Sequence, residues 1–160
     1  MGEKPHLTVK AKRKFLIISI ASVIVIGGCA FWIYQGFRDT YSIRTAVNAR
    51  PEEVTFLRLP PAASHIGFWR DGLNYWAEFD IPERDFRGIF SKFQFLEISE
   101  PIEVRPKAFG DPSIFPPHAP ATPVAVSNGL RYRERWSNGG GYDIIYDRAR
   151  SRAYYDSSKR

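Results

Sequence analysis

The chain is poor in the residues that most often carry chemistry. It has one cysteine, one methionine and three histidines in 160 residues. A lone Cys29 excludes a disulfide scaffold and any metal cluster built on thiolates. His6, His65 and His118 are spread over 112 positions, and no two of them have the ligand spacing of structural zinc. No metal and no cofactor is therefore expected. The glycine run ending at Gly141 is followed by neither Lys-Ser/Thr nor a helical pattern, which excludes a phosphate-cradling loop. No internal repeat is present, and the length admits one ordinary domain rather than several. Apolar material is plentiful: 44% of the residues are hydrophobic and 15% aromatic, too many for a chain that cannot fold.

A net charge of +6 suggests nucleic acid only until the charge is located. Lys4, Lys10, Lys12, Arg13 and Lys14 against Glu3 give residues 1–14 a net of +4, leaving +2 for the rest of the chain. A domain that grips phosphate concentrates its cations in the folded part. No nucleic-acid partner is expected.

Those cations stand directly before residues 15–34, which carry no charge over 20 positions. Twenty helical residues reach about 30 Å, the thickness of a bilayer's hydrocarbon core. Trp32 and Tyr34 close the run, where amphipathic rings favour the headgroup region. The reading is a single-pass anchor in a lipid bilayer, with the basic end held inside. It divides the chain into a cytoplasmic tail (1–14), the transmembrane helix (15–34), a juxtamembrane connector (35–52) and an extracytoplasmic domain (53–160). The connector reads as modestly helical from Asp39 to a stop at Pro51. Two alternatives compete. The small residues before Cys29 resemble a bacterial lipoprotein signal, in which that cysteine is lipidated, but the apolar run continues past it to Tyr34. A cleaved secretory signal has a shorter apolar region than this one.

The outer domain reads as α+β, a small antiparallel sheet packed against one main helix. A strand over 54–59 ends at Pro60 and Pro61. Strands over 64–70 and 73–80 flank Asp71 and Gly72, the pair favoured in two-residue hairpin turns. Leu73, Tyr75, Ala77, Phe79 and Ile81 share one face of the second strand, and Asn74, Trp76, Glu78 and Asp80 share the other. A helix follows with Asp80 as its cap and Pro82 in its first turn. It carries Phe86, Ile89, Phe90 and Phe93 as one apolar stripe. Residues 95–104 give a short extended piece limited by Pro101, and six prolines between 106 and 123 make that stretch a loop. Strands over 130–136, 142–147 and 152–156 complete a meander. The phenylalanine stripe is expected on the face of Tyr75, Ala77 and Phe79, joined by Leu130, Tyr132 and Trp136.

Three candidate sites follow. The Asp71–Gly72 turn pairs Arg70 with Leu73, Trp69 with Asn74, Gly67 with Trp76 and His65 with Glu78. A carboxylate beside imidazole is what a general acid or a pH switch needs, so His65 and Glu78 form the catalytic candidate, though no nucleophile stands beside them. Trp69, Asn74 and Trp76 on the same face form a binding candidate for a glycan or extended peptide. Covering by the proline-rich loop is the competing reading, because large exposed apolar patches are uncommon. Arg131, Arg133 and Arg135 form a third group. If Trp136 opposes Tyr142, Asp143 and Asp147 neutralise the outer two arginines across the hairpin, and Glu134 falls on the apolar face.

The function expected from these residues is a membrane-anchored domain that binds or scaffolds within a bacterial-type cell envelope, with an envelope protein as partner. The alternatives are a small envelope enzyme using His65 and Glu78, and a lipoprotein lipidated at Cys29.

Overall fold

The computed structural model describes residues 9–111 and 123–159, with side chains over 22–38, 42–111 and 123–159. The chain divides into two units at residues 40 and 41. The first holds the helix α1, Val9–Tyr41, except for its last residue. The second is built from nine strands and one short helix: β1 (Arg44–Ala49), β2 (Ser64–Arg70), β3 (Asn74–Asp80), α2 (Glu83–Ile89), β4 (Leu96–Glu97), β5 (Ile102–Val104), β6 (Val124–Val126), β7 (Gly129–Arg135), β8 (Gly141–Asp147) and β9 (Arg152–Ser158). A single 3-10 turn, Pro51–Glu53, follows β1.

These elements correct the expected fold class. The domain is mostly sheet: seven antiparallel strands in the order β1-β2-β3-β9-β8-β7-β4, with β5 and β6 paired apart. The expected main helix is only the seven residues of α2, because it starts after Pro82 and ends at Phe90 (φ −104°, ψ 27°). Asp80 does not cap it; Pro82 stands at the cap position. Phe93 lies beyond the helix in a turn closed by its own N–H to the Phe90 carbonyl at 2.9 Å. The anchor is corrected too. Among the described residues no helix is long and apolar enough to cross a membrane. Nor is the connector helical to Pro51, since α1 stops at Tyr41 and strand β1 begins at Arg44. The expected strand over 54–59 is irregular, although Val54 is buried. Most of the proline-rich loop, with His118, lies outside the described residues.

Both hairpins keep their expected faces while shifting register by two residues. In the first, Arg70 pairs with Tyr75, Trp69 with Trp76, Phe68 with Ala77 and Gly67 with Glu78. The Asp71 carboxylate accepts from the N–H groups of Leu73 (3.1 Å) and Asn74 (2.7 Å), so Gly72 and Leu73 become the central pair. Gly72 takes φ +87°, the first central position where type II′ turns require glycine. In the second, the Trp136 N–H donates to the Gly140 carbonyl at 2.9 Å and Gly139 takes φ +83°. This three-residue loop sets Arg135 opposite Gly141 and Glu134 opposite Tyr142. Strand side chains alternate with period 2, so a two-residue slip changes partners but not faces.

One face of the sheet packs on α2 and on residues 54–63, with Phe79, Phe86, Leu130, Ile144, Tyr146 and Ala153 all buried. The other face carries Ile145 and Tyr154, which pack against Val104 of β5 and Val126 of β6. Arg148, in the turn between β8 and β9, ties three elements together. Its guanidinium donates to both carboxylate oxygens of Glu83 in α2 (2.7 and 3.0 Å) and to Glu97 in β4 (2.9 Å). The hydrogen bond from Arg148 holds the Glu83 carboxyl at about 2, below its ordinary value of 4.5. A carboxyl whose pKa falls on folding contributes stability above its unfolded value and loses it as the pH drops through the folded one. Denaturation midpoints of the full chain are therefore expected to fall between pH 4.5 and about 2, and to fall less steeply in Arg148→Met. Parallel slopes for the two proteins would show that this pair does not govern acid stability.

Candidate functional site

The expected catalytic pair is not a pair. A bulge between Ser64 and Gly67 sets two residues of β2 against one of β3, and His65 takes φ +46° at the extra position. Its side chain remains 74% exposed, with Nδ1 2.8 Å from the Asp80 carboxylate. Arg152 then joins Asp80 (2.6 Å) to Glu78 (3.3 Å). Glu78 spends its other oxygen on the backbone N–H of Lys107 at 2.6 Å. Burial pushes the Glu78 carboxyl upward, partly offset by that N–H and by Arg152. His65 and Glu78 thus sit at the two ends of a chain of polar contacts, each occupied by a different partner. Among the described residues no three His, Cys, Asp or Glu side chains gather as a metal site.

The expected binding face is covered. Trp69 is fully buried and Trp76 nearly so, their rings 5.1 Å apart. The Lys107 ammonium lies 5.5 Å from the Trp76 ring centre, and the Phe109 ring lies where a side chain on Gly67 would stand. Asn74 is held by Asp71 and by Ser158. What remains open there is a groove of about 150 Å³ beside Glu78, Lys107, Arg131 and Asp143. The arginine stripe converges on Asp143, with Arg131 at 2.7 Å, Arg133 at 3.7 Å and Arg135 at 3.9 Å. Asp147 pairs with Arg150 at 2.6 Å instead. Glu134, on the apolar face, accepts from the Tyr132 hydroxyl (2.7 Å) and the Trp136 indole N–H (2.9 Å), which lower its pKa. Cys29 is exposed on α1.

The larger opening is on the α2 face, and it follows from a mismatch of lengths. A seven-residue strand is about 23 Å long, whereas a seven-residue helix is about 10 Å. Register aligns the sheet in rows. Phe79, Ala153, Tyr146 and Leu130 form the row under α2. Two rows on stand Tyr75, Ser157, Tyr142 and Glu134, beyond the helix's reach. The result is a cleft of about 850 Å³. Phe56 forms one wall, 5.1 Å from Tyr75, and Phe90 and Phe93 form the other, at 5.8 Å from Tyr155 and 5.4 Å from Tyr142. Burial pushes the Tyr155 hydroxyl up to about 12.

The floor also holds a buried serine: Ser157 is 1% exposed, and its hydroxyl acts on the neighbouring Tyr155 phenol as a hydrogen-bond partner that opposes the larger effect of burial. Sequence alternation reaches this cleft only partly. Tyr75 falls on the correct face, but the last strand is expected to end at Asp156. The Ala153, Tyr155, Ser157 alternation is the signal that extends it. Comparison of the chain with family models, with curated proteins and with solved structures found no match.

Proposed function

We propose that this chain is a binding domain whose ligand occupies the cleft beside α2. The observation that carries the reading is an aromatic cleft of about 850 Å³ floored by Tyr75, Tyr142 and Tyr155. Cavities of that size suit a single small molecule, held mostly by apolar and aromatic walls with a few polar groups to orient it. Binding is favoured over catalysis because the titratable groups of the catalytic candidate are spent on one another. The Glu78 oxygens serve Lys107 and Arg152, and Asp80 serves His65 and Arg152. The reading rests on the cleft alone and draws nothing from α1.

Gly88 supplies the test. It lines the cleft from α2, and a Cβ placed there meets nothing within 4 Å. A large side chain can therefore fill the opening without disturbing the core. Nile red, a neutral dye that brightens in apolar surroundings, is expected to bind the full chain at one site per molecule. Gly88→Trp is expected to weaken that binding at least tenfold while its denaturation midpoint stays at or above the parent's. Equal binding by both proteins, or none by the parent, would remove the cleft as a ligand site.

A further inference from the structure

The cleft's rim carries charge of one sign. Arg58, Arg84, Lys92 and Lys159 line it, against the single acid Asp85. Their surroundings differ from those of three arginines elsewhere in the domain. Arg131, Arg148 and Arg152 each meet a carboxylate at 2.7 Å or less. None of the four rim cations has a carboxylate partner among the described residues. Lys92 and Lys159 instead lie against rings, 5.0 Å from the centre of Phe93 and 5.5 Å from that of Tyr75. Those two rings also belong to the cleft's lining. Cations held over an apolar opening without counter-charges attract an anion to that opening.

Resting on the cleft being a ligand site, we propose that its ligand is a single-chain amphipathic anion: an apolar chain or ring ending in one acidic group, of the size of a fatty acid. The apolar body lies between Phe56 and Phe90 on the tyrosine floor, where the hydrophobic effect rewards burial of its surface. The acidic end stays at the rim with the arginines and lysines, in water but beside four cations. The volume takes one such molecule. A neutral molecule of the same shape gains only the floor. A cationic one is repelled at the rim.

Titration calorimetry of the full chain with dodecanoate, dodecanol and dodecyltrimethylammonium, each below its aggregation concentration, separates these cases. Dodecanoate is expected to bind one-to-one and at least tenfold tighter than dodecanol, with the ammonium weakest. Arg84→Glu combined with Lys92→Glu, two exposed positions, is expected to abolish the preference for the anion, so that dodecanoate binds no tighter than dodecanol. Dodecanol binding as tightly as dodecanoate, with Nile red still bound, would overturn the anionic ligand and keep the cleft. Loss of both dodecanoate and Nile red binding would remove cleft and ligand together. Dodecanoate binding that survives Gly88→Trp would place the anion elsewhere and overturn the inference.

Discussion

Phe86→Ala is expected to destabilise the domain by about 3–5 kcal/mol, the usual loss on truncating a buried phenylalanine. Phe86 is fully buried although its helix has only seven residues. Its ring stacks on Tyr146 at 4.8 Å and meets Phe90 and Phe95 at 5.0 Å each. An isolated helix of this length does not persist in water, so α2 exists because this side chain fixes it to the sheet. Removing the ring leaves a cavity under α2 and weakens the wall of the cleft as well. Arg133→Ala is the comparison, with a half-exposed side chain 3.7 Å from a carboxylate already served by Arg131. Its cost is expected to stay under about 1 kcal/mol. Urea melts of the full chain check the pair, and equal losses would mean that the two faces of the sheet are wrongly assigned.

The second large effect lies on the opposite face. Arg152→Ala is expected to cost about 2–4 kcal/mol at neutral pH, toward the lower part of the range for breaking a buried ion pair because Asp80 remains a third exposed. The guanidinium is the only cation within ion-pair distance of Glu78 among the described residues, and the Glu78 side chain is 7% exposed. Without it the carboxylate keeps only the Lys107 N–H. Burial already raises the Glu78 pKa, and loss of Arg152 raises it further. A carboxyl with a raised folded pKa favours the folded state at low pH and opposes it as the pH rises. The difference between parent and variant is therefore expected to shrink on acidification from pH 7 toward 5. Pairing Arg152→Ala with Glu78→Gln should restore part of the loss at neutral pH, as expected of coupled residues. A loss independent of pH and additive with Glu78→Gln would reduce Arg152 to a packing role.

Face assignment was the most legible property of the sequence. Tyr75, Ala77 and Phe79 stand on the α2 side as their alternation requires, because period 2 survives a slip of two. Partner assignment was not legible, since it depends on how each turn closes. Asp71 closes one by accepting two backbone N–H groups, and Gly139 closes the other with a positive φ. The bulge at His65 was hidden for a related reason. Nothing in the run from Ser64 to Arg70 marks one residue as extra; the mismatch arises only when β3 is laid beside it. The helix was overcounted because its phenylalanine stripe continues past its end: Phe93 keeps the spacing of a helical residue while standing in a turn. The cleft was out of reach, because it is the difference between the length of α2 and the length of the strands it lies on.

The central pair of the sheet has a consequence for how the chain is made. β3 and β9 are neighbours through seven consecutive pairs, yet Asp80 and Arg152 are 72 positions apart. The strands on either side, β1 to β3 and β7 to β9, can each assemble from local hairpins. The step that joins them must close a long loop before any of its hydrogen bonds form, and such non-local closure slows folding. During synthesis β3 emerges well before β9 and presents an open row of N–H and C=O groups in the interval. That edge, flanked by Trp76 and Phe79, is a template for pairing with another nascent copy. The rate at which β9 arrives, more than the final stability of the sheet, then sets the yield of correctly folded chain.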